Sequence, residues 1–364
     1  MIRFSEMVLP GHPDKLCDQI ADRILAEAYA ADPQAYCQVE VSCWCDEFFL
    51  TGGTATRRPM DKPLDEIVRE VGREVGYHAG NAIDSSRWNI RSTVSQEVRD
   101  PRTWTEHTND QCIVVAYAGY DAKTRYLPPE HYLAHVFREA LARSCGSGRL
   151  VGQGPDGKIL VRIREEGADW ILEHVLVTIQ QREENAFVDV VGWVVADLRD
   201  AYDTAQQADS RWRASWNDVE VMVNPNGPLV NGGPDGDNGQ TGRKLVMDYY
   251  GPRVPIGGGA LSGKDLTHVD RAGAYMARKL AVGSVGGGAT DCVLRVAYAP
   301  NLDEPLDVVV EQIGGAPIDR RLLSHEAIRR EIREWRVDPE LGRGTHFFGD
   351  RPWNQASPPA RQAD

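Results

Sequence analysis

The alternation of strand-like and helix-like segments constrains the fold of this chain more than any other feature. Pairs of segments with strand-like alternation are separated by segments whose apolar residues lie three or four positions apart, and this order occurs about three times. Strand-like segments outnumber helix-like ones, and many connections resemble hairpins. The pattern predicts an α+β fold, with helices on one face of mostly antiparallel sheets. Three rounds indicate a structural repeat, although we find no sequence repeat of fixed period.

Periodicity and turn signals place the individual segments. The predicted helices cover 13–31, 64–75, 128–144, 185–202, 269–280 and 322–335, and the predicted strands cover 36–50, 113–118, 159–163, 170–179, 219–223, 292–298 and 306–313. The long segment 36–50 fits either one strand or a hairpin. Between 95 and 109 the periodicity is lost, which predicts a mobile loop or lid. The tail 356–364 has the composition of a disordered segment.

Composition limits the classes of partner. The formal net charge of −13 argues against non-specific binding to nucleic acid or to a membrane surface, both of which require a basic face. We find no apolar run of about eighteen residues and no signal-peptide layout, so we expect a cytoplasmic protein. The seven cysteines include no Cys-x-x-Cys pair, which favours structural thiols over a zinc site.

Two glycine-rich stretches dominate the C-terminal part of the chain. The first runs from Asn231 to Lys244 and the second from Gly257 to Asp265, and each ends with basic residues and contains a carboxylate. Glycine lets backbone N–H groups approach a ligand closely, and the cations add charge. Together they predict a polyphosphate site. One such stretch is equally explained by a surface turn, but two within about forty residues favour the ligand.

Two generic motifs fit less well. The segment 258–264 matches Gly-x-x-x-x-Gly-Lys, but Asp265 follows where a P-loop needs Ser or Thr for magnesium. His131 and His135 have the i, i+4 spacing of a metal pair, without the glutamate of a zincin or an evident third ligand. We therefore predict that these two histidines lie on a helix surface.

An ordered set of motifs carries a specific resemblance. The set comprises Gly11-His-Pro-Asp-Lys15 with Asp18-Gln-Ile, Asp110-Gln111, Pro155-Asp-Gly-Lys158, the stretch 232–244, the stretch 257–265 with Val269-Asp-Arg271, and a weaker match at 346–353. In this order and spacing, the chain resembles the S-adenosylmethionine synthetases (methionine adenosyltransferases). The resemblance implies three intertwined subdomains of similar topology, which we place at 1–97, 108–226 and 229–355. It also implies a homodimer or homotetramer with active sites at the interface, and Mg²⁺ and K⁺ as cofactors.

The resemblance further implies a reaction and its residues. The methionine sulfur attacks C5′ of ATP, and the tripolyphosphate released is cleaved to pyrophosphate and phosphate. The implied catalytic residues are His12, Lys15, Lys158, Arg243, Lys244 and Lys264. The implied ATP and polyphosphate contacts are His12, Asp156, Lys158, Asp237, Arg243, Lys244, Lys264 and Asp270. Gln96, Asp110 and position 54 correspond to methionine-binding groups, and Asp14, Glu40 and Asp270 to metal ligands, Glu40 for potassium.

Departures from the family pattern cluster around the substrates. Thr54 stands where a glutamate usually holds the methionine ammonium, Leu229 where an aromatic ring usually stacks on adenine, and His268 where a lysine is usual. Pro10 replaces a common acidic residue. Three alternatives to methionine adenosylation therefore stay open: another thioether acceptor, a tripolyphosphatase without alkyl transfer, and a non-catalytic regulatory subunit.

Overall fold

The computed structural model describes residues 1–81, 83–333, 335 and 338–356, and it confirms the predicted α+β fold. These residues contain eight α-helices and twelve strands, and the strands form three sheets. The strands are β1 (Ile2–Val8), β2 (Tyr36–Trp44), β3 (Glu47–Thr56), β4 (Asn89–Ser92), β5 (Ser95–Val98), β6 (Cys112–Gly119), β7 (Gly157–Glu166), β8 (Asp169–Ile179), β9 (Glu220–Val223), β10 (Gly239–Gln240), β11 (Asp291–Tyr298) and β12 (Asp307–Ile313). The helices are α1 (Pro13–Ala31), α2 (Leu64–Val75), α3 (Arg102–Thr105), α4 (Pro129–Ser147), α5 (Phe187–Ala208), α6 (Leu245–Asp248), α7 (Val269–Gly286) and α8 (His325–Ile332).

The three sheets are mostly antiparallel. The first has the strand order β1-β7-β8-β9, the second β10-β2-β3-β4 with β5 also paired to β3, and the third β12-β11-β6. The parallel pairs are β3 with β4, β3 with β5, and β8 with β9. Each sheet lies over its own hydrophobic core, which α4 and α5 cover in the first, α1 and α2 in the second, and α7 in the third.

Strands from distant parts of the chain meet in every sheet. The N-terminal β1 pairs with β7, β10 from the first glycine-rich stretch pairs with β2, and β6 pairs with β11. These exchanges cross the linear boundaries that we place near residues 97–108 and 226–229. The boundaries stay a prediction, whereas the exchange of strands is a property of the fold.

Two local predictions are wrong. The segment 95–109 is not without regular structure: β5 pairs with β3, and α3 places Trp104 on Tyr36, with ring centroids 5.4 Å apart. His131 and His135 are buried instead of exposed, because α4 packs them between the first sheet and the C-terminal segment. The ring Nδ1 of His131 forms a hydrogen bond of 2.9 Å with the Ser5 hydroxyl, and the His135 ring stacks on Phe348.

Other predictions require smaller changes. The hairpin reading of 36–50 is confirmed by β2 and β3, and the valine-rich segment after 185 is the helix α5. The last predicted helix is a short 3₁₀ turn followed by α8; of that segment, residue 334 lies outside the described residues. Except for residue 356, the tail predicted to be disordered also lies outside them. Among the described helices, none combines the length and the apolar character needed to span a membrane.

Candidate functional site

The N-terminus of α1 is built around His12. The residue occupies the N-cap position, and Pro13 fits the first helical turn because its missing N–H would have no partner there. The backbone N–H of Asp14 donates to Nδ1 of His12 at 3.2 Å. A neutral imidazole that accepts at Nδ1 carries its proton at Nε2. The local sequence therefore fixes the tautomer.

His12 is a neutral hydrogen-bond donor. Its side chain is 1% exposed, and Nε2 has no hydrogen-bond partner among the described residues. Burial first, and then the positive charge of Lys244, lower the pKa of His12 to about 3. The nearest carboxylate to Nε2 is that of Asp237, at 3.9 Å. The ring thus presents an unused N–H group to this part of the site.

Asp14 is enclosed by donors. Its carboxylate lies 2.5 Å from Nζ of Lys244 and 3.6 Å from Nε of Arg243, and it accepts the backbone N–H of Gln240 at 2.9 Å. A carboxylate in this position can ligate a hard cation such as Mg²⁺. In that case Lys244 would leave Asp14 and become available to a phosphate group.

Asp156 and Lys158, just before and at the start of β7, also belong to the surroundings of His12. The carboxylate of Asp156 accepts the backbone N–H of Gly233 at 2.7 Å, and burial raises its pKa to about 6. Lys158 is exposed at the start of β7, and its charge contributes to the lowered pKa of His12. The first glycine-rich stretch and the β7 region thus meet at the α1 N-terminus. We call this set the α1 group: His12, Asp14, Asp156, Lys158, Asp237, Arg243 and Lys244.

Lys15 does not lie with the accessible cations. Its side chain is 0% exposed, and Nζ lies 2.6 Å from Asp18 and 2.5 Å from Asp248. Burial, and to a smaller extent the negative charge of Asp248, raise the pKa of Asp18 to about 7. The structure therefore places Lys15 in a buried ion cluster beneath the site.

Three aspartates on one face of α1 anchor both glycine-rich stretches. Asp14 and Asp18 accept backbone N–H groups of Gln240 and Gly242, and Asp22 accepts that of Gly263, each at 2.9 Å. The spacing i, i+4, i+8 puts the three carboxylates on the same side of a helix. Sequence reasoning did not assign Asp18 or Asp22 a role, although this spacing was a readable signal.

The N-terminus of α7 repeats the arrangement of α1. His268 caps the helix and accepts the backbone N–H of Asp270 at Nδ1, at 3.3 Å. Nζ of Lys264 lies 2.5 Å from the Asp270 carboxylate, and Nε2 of His268 lies 3.8 Å from Asp110. We call this set the α7 group: Asp110, Lys264, His268 and Asp270.

The resemblance between the two helix starts extends to a fourth residue. Lys15 follows Asp14, and Arg271 follows Asp270; both are fully buried. Arg271 pairs with Asp22 at 2.7 Å, just as Lys15 pairs with Asp18. Sequence reasoning missed Arg271 as part of the site's support, although His-x-Asp-basic occurs at the start of both helices.

The α7 group also contains candidate metal ligands. Ligand atoms of Asp110, His268 and Asp270 all lie within 4.8 Å of one another. The two carboxylates have the oxygen chemistry that Mg²⁺ prefers. His268 fits less well, because a ring that accepts at Nδ1 carries its proton on the nitrogen facing Asp110. The carboxylates are therefore the better ligands.

Three of the four predicted methionine and potassium residues lie on the second sheet, and the fourth, Asp110, belongs to the α7 group. Glu40 is exposed on β2 opposite Thr51, whereas Thr54 is 3% exposed on β3, opposite Cys37 and beside Gln96 of β5. Side chains alternate along a strand, so Glu40 belongs to the opposite face from Thr54 and Gln96. An isolated bridge between Gln38 and Lys264 connects this sheet to the α7 group.

The α1 and α7 groups remain separate in one chain. Among the described residues, no hydrogen bond or ion pair joins a member of one group to a member of the other. Each group combines a histidine donor, an aspartate and at least one lysine. The chain therefore holds two clusters of similar construction, each with the donors and carboxylates suited to an anion or a metal ion.

Comparison with known proteins identifies the family of this chain. Residues 1–98 match the model of the S-adenosylmethionine synthetase N-terminal domain, and residues 231–337 match that of the C-terminal domain. An S-adenosylmethionine synthase of Thermosynechococcus vestitus is 36% identical over 335 residues, covering 85% of this chain and 79% of the relative. One from Roseobacter denitrificans is 33% identical over 342 residues (90% and 84%), and one from Acidiphilium cryptum is 32% identical over 361 residues (96% and 88%). The chain belongs to the S-adenosylmethionine synthetase family of enzymes.

Proposed function

We propose that this enzyme makes S-adenosylmethionine from ATP and L-methionine and cleaves the released tripolyphosphate to pyrophosphate and phosphate. The observation that carries the proposal is the free Nε2–H of His12, which lies beside Asp14, Lys158 and Lys244 at the start of α1. A buried donor next to cations suits an oxygen on which negative charge develops. Family membership supports the substrates.

The chemistry explains why such a site suffices. The thioether sulfur is a neutral nucleophile, so forming the S–C5′ bond needs no base. The C5′–O bond breaks at the same time, and its electron pair leaves with the tripolyphosphate. The barrier therefore depends mainly on stabilising the leaving group. In this proposal His12 donates to the departing oxygen, while Lys158, Arg243, Lys244 and Lys264 neutralise the phosphate chain.

Metal ions complete the proposed site. Asp14, Asp110 and Asp270 supply carboxylate oxygens suited to Mg²⁺, which when bound would neutralise phosphate charge. Asp14 is paired with Lys244 and Asp270 with Lys264; with the carboxylates on a metal ion, both lysines would be available to the phosphates. We assign Glu40 to potassium on the basis of the resemblance.

The proposal includes a homodimer or homotetramer. Large apolar side chains are exposed on strands of all three sheets, among them Phe4 (50%) in the first, Phe49 (41%) in the second and Ile113 (59%) in the third. Exposed apolar surface of this kind is typical of an interface. If these faces meet a second chain, the α1 group of one chain and the α7 group of its partner can form one active site.

Product analysis by mass spectrometry tests the proposal. The purified protein is incubated with ATP, Mg²⁺, K⁺ and L-methionine, and we expect S-adenosylmethionine, pyrophosphate and phosphate. Phosphate release without an adenosylated product would instead indicate a tripolyphosphatase or a different acceptor. If no product forms and the protein co-purifies with a larger synthetase, the regulatory-subunit alternative replaces the proposal.

A further inference from the structure

A pocket of about 450 Å³ lies on the face of the second sheet that carries Glu40. Its walls come from two strands that flank β3: β2 on one side and β5 on the other. Tyr36 and Glu97 both pair in register with Ala55 of β3, one from each side. Adjacent strands are about 4.8 Å apart, so these walls stand about 10 Å apart above a small residue. The pocket can therefore admit a small molecule.

The aromatic wall is rigidly built. Trp104 of α3 stacks on Tyr36 with ring centroids 5.4 Å apart and an interplanar angle of 23°. Arg99 covers the Trp104 ring, with its guanidinium carbon 4.4 Å from the ring centroid. Both aromatic residues line the pocket, and they offer a surface for an apolar or thioether group.

The opposite wall carries an uncompensated negative charge. Glu97 is exposed and accepts a hydrogen bond of 3.2 Å from the Ser95 hydroxyl. Within the part of the chain that the structure describes, no lysine, arginine or histidine forms an ion pair with Glu97 or Glu40. A carboxylate facing an aromatic pair across a narrow pocket is suited to a cation with an apolar body.

We propose that Glu97 binds the primary ammonium group of the amino-acid acceptor, while Tyr36 and Trp104 contact its thioether chain. The inference rests on the proposed function and adds a specificity residue to it. Thr54 cannot supply this charge, because its side chain is uncharged and only 3% exposed. Glu40 is less suited, because it lies four residues along β2 from Tyr36, beyond the row formed by Gln38 and Gly53.

Substitution of Glu97 with glutamine tests the proposal, because it removes the charge and keeps the shape. Loss of one charge-assisted contact of about 1.4–2.8 kcal/mol predicts a KM for L-methionine about 10–100-fold higher. The KM for ATP and kcat should stay within about twofold. Ser95→Ala is the matched control: it removes a neutral neighbour of Glu97 and should raise that KM by less than about fivefold. Since Glu97 is exposed, the variant should fold normally.

A second acceptor separates charge recognition from a structural effect. The analogue 4-(methylthio)butanoate is methionine without its amino group. Wild-type protein should prefer L-methionine by about 10–100-fold, whereas Glu97→Gln should discriminate less than about threefold. A merely structural role for Glu97 would change the KM of both acceptors equally.

Several outcomes would overturn the inference. An unchanged KM for L-methionine in Glu97→Gln, with active wild-type protein, rejects Glu97 and leaves the proposed function intact. A KM increase confined to Glu40→Gln moves the ammonium site to Glu40. If wild-type protein makes no product, the proposed function fails, and titration calorimetry with L-methionine replaces kinetics. In that experiment Glu97 is supported only if wild-type protein binds L-methionine and the glutamine variant binds at least tenfold more weakly.

Discussion

The N-termini of α1 and α7 share one local design and differ in their surroundings. In both, a histidine caps the helix through Nδ1, the aspartate two residues later pairs with a lysine, and the next basic residue is buried. Burial is the largest cause of the lowered pKa of both histidines; around His12, the charges of Lys244, Lys158 and Lys15 lower the pKa further, and Asp14 opposes them. Around His268, Lys264 lowers the pKa, while Asp270, Asp265 and Asp110 oppose it.

This difference shows how one motif can serve two chemistries. Cations predominate near the donor of His12, so the α1 terminus suits negative oxygen atoms. Carboxylates predominate near His268, so the α7 terminus suits a metal ion. The local sequence sets the tautomer of each histidine, and residues from distant segments set the charge around it. Substitutions made in pairs, one at each helix, can test this comparison.

The largest expected effect comes from the buried basic residues. Lys15→Met and Arg271→Met each leave buried carboxylates without a partner, and each should lower the free energy of unfolding by about 3–5 kcal/mol. Urea denaturation measures the loss. If Lys15→Met is as stable as wild-type protein but inactive, Lys15 acts in the phosphate clamp, as the sequence predicted, and the two helix starts are less alike than the structure indicates.

The next effect separates the two donors. Asparagine can replace histidine as an N-cap, so His12→Asn and His268→Asn should each change the free energy of unfolding by about 1 kcal/mol or less at neutral pH. His12→Asn should lower kcat by about 10²–10³-fold, because it removes a donor to the leaving oxygen. For His268→Asn we expect kcat to fall by about tenfold or less. Steady-state kinetics at saturating ATP and methionine measure both, and equal losses would contradict the different roles.

The pH dependence of stability sharpens the same comparison. The pKa of His12 is about 3 in the folded protein, below the usual value of 6.5, so the unfolded chain binds the proton first as pH falls. The contribution of neutral His12 to the free energy of unfolding is therefore complete above pH 6.5. It is lost as pH falls from 6.5 to about 3, by at most about 1.4 kcal/mol per pH unit. Urea denaturation of metal-free protein should show a steeper loss for wild-type protein than for His12→Asn. Equal losses of stability with falling pH in the two proteins would mean that folding does not lower the pKa of His12.

A related expectation concerns activity. Burial lowers the pKa of His268 as well as that of His12, so both rings stay neutral above pH 6.5. The kcat should therefore show no decrease attributable to either histidine as pH rises from about 6.5 to 8. A decrease in wild-type protein that is absent from His268→Asn would mean that His268 acts as a cation.

The smallest effect concerns the carboxylates opposite the two donors. Asp237 and Asp110 are 51% and 48% exposed, and they lie 3.9 and 3.8 Å from Nε2 of His12 and His268. These distances exceed hydrogen-bond range, so Asp237→Asn and Asp110→Asn should each change the free energy of unfolding by less than about 0.5 kcal/mol. Thermal denaturation compares the two. A decrease in the free energy of unfolding above about 1 kcal/mol at either site would mean that the carboxylate already accepts a hydrogen bond from the histidine Nε2–H.

Much of the fold was predictable because its signals are local. Apolar periodicity identified α1, α2, α4 and α7, and short apolar runs, one of them following a turn signal, identified β7, β8 and β11. The failures came from tertiary contacts. β5 has little apolar pattern of its own and forms because it pairs with β3. His131 is buried because the helix α4 is covered on both of its faces.

The candidate site divides in the same way. The sequence by itself determined the helix caps, the flexible glycine-rich stretches and the order of their charged residues, because these depend on neighbours within about four positions. Only the tertiary structure decided that Lys15 is buried, that three aspartates of α1 hold both stretches, and that Glu97 faces an aromatic wall. Burial, charge environment and strand exchange depend on contacts between segments up to 249 residues apart, and no local pattern encodes them.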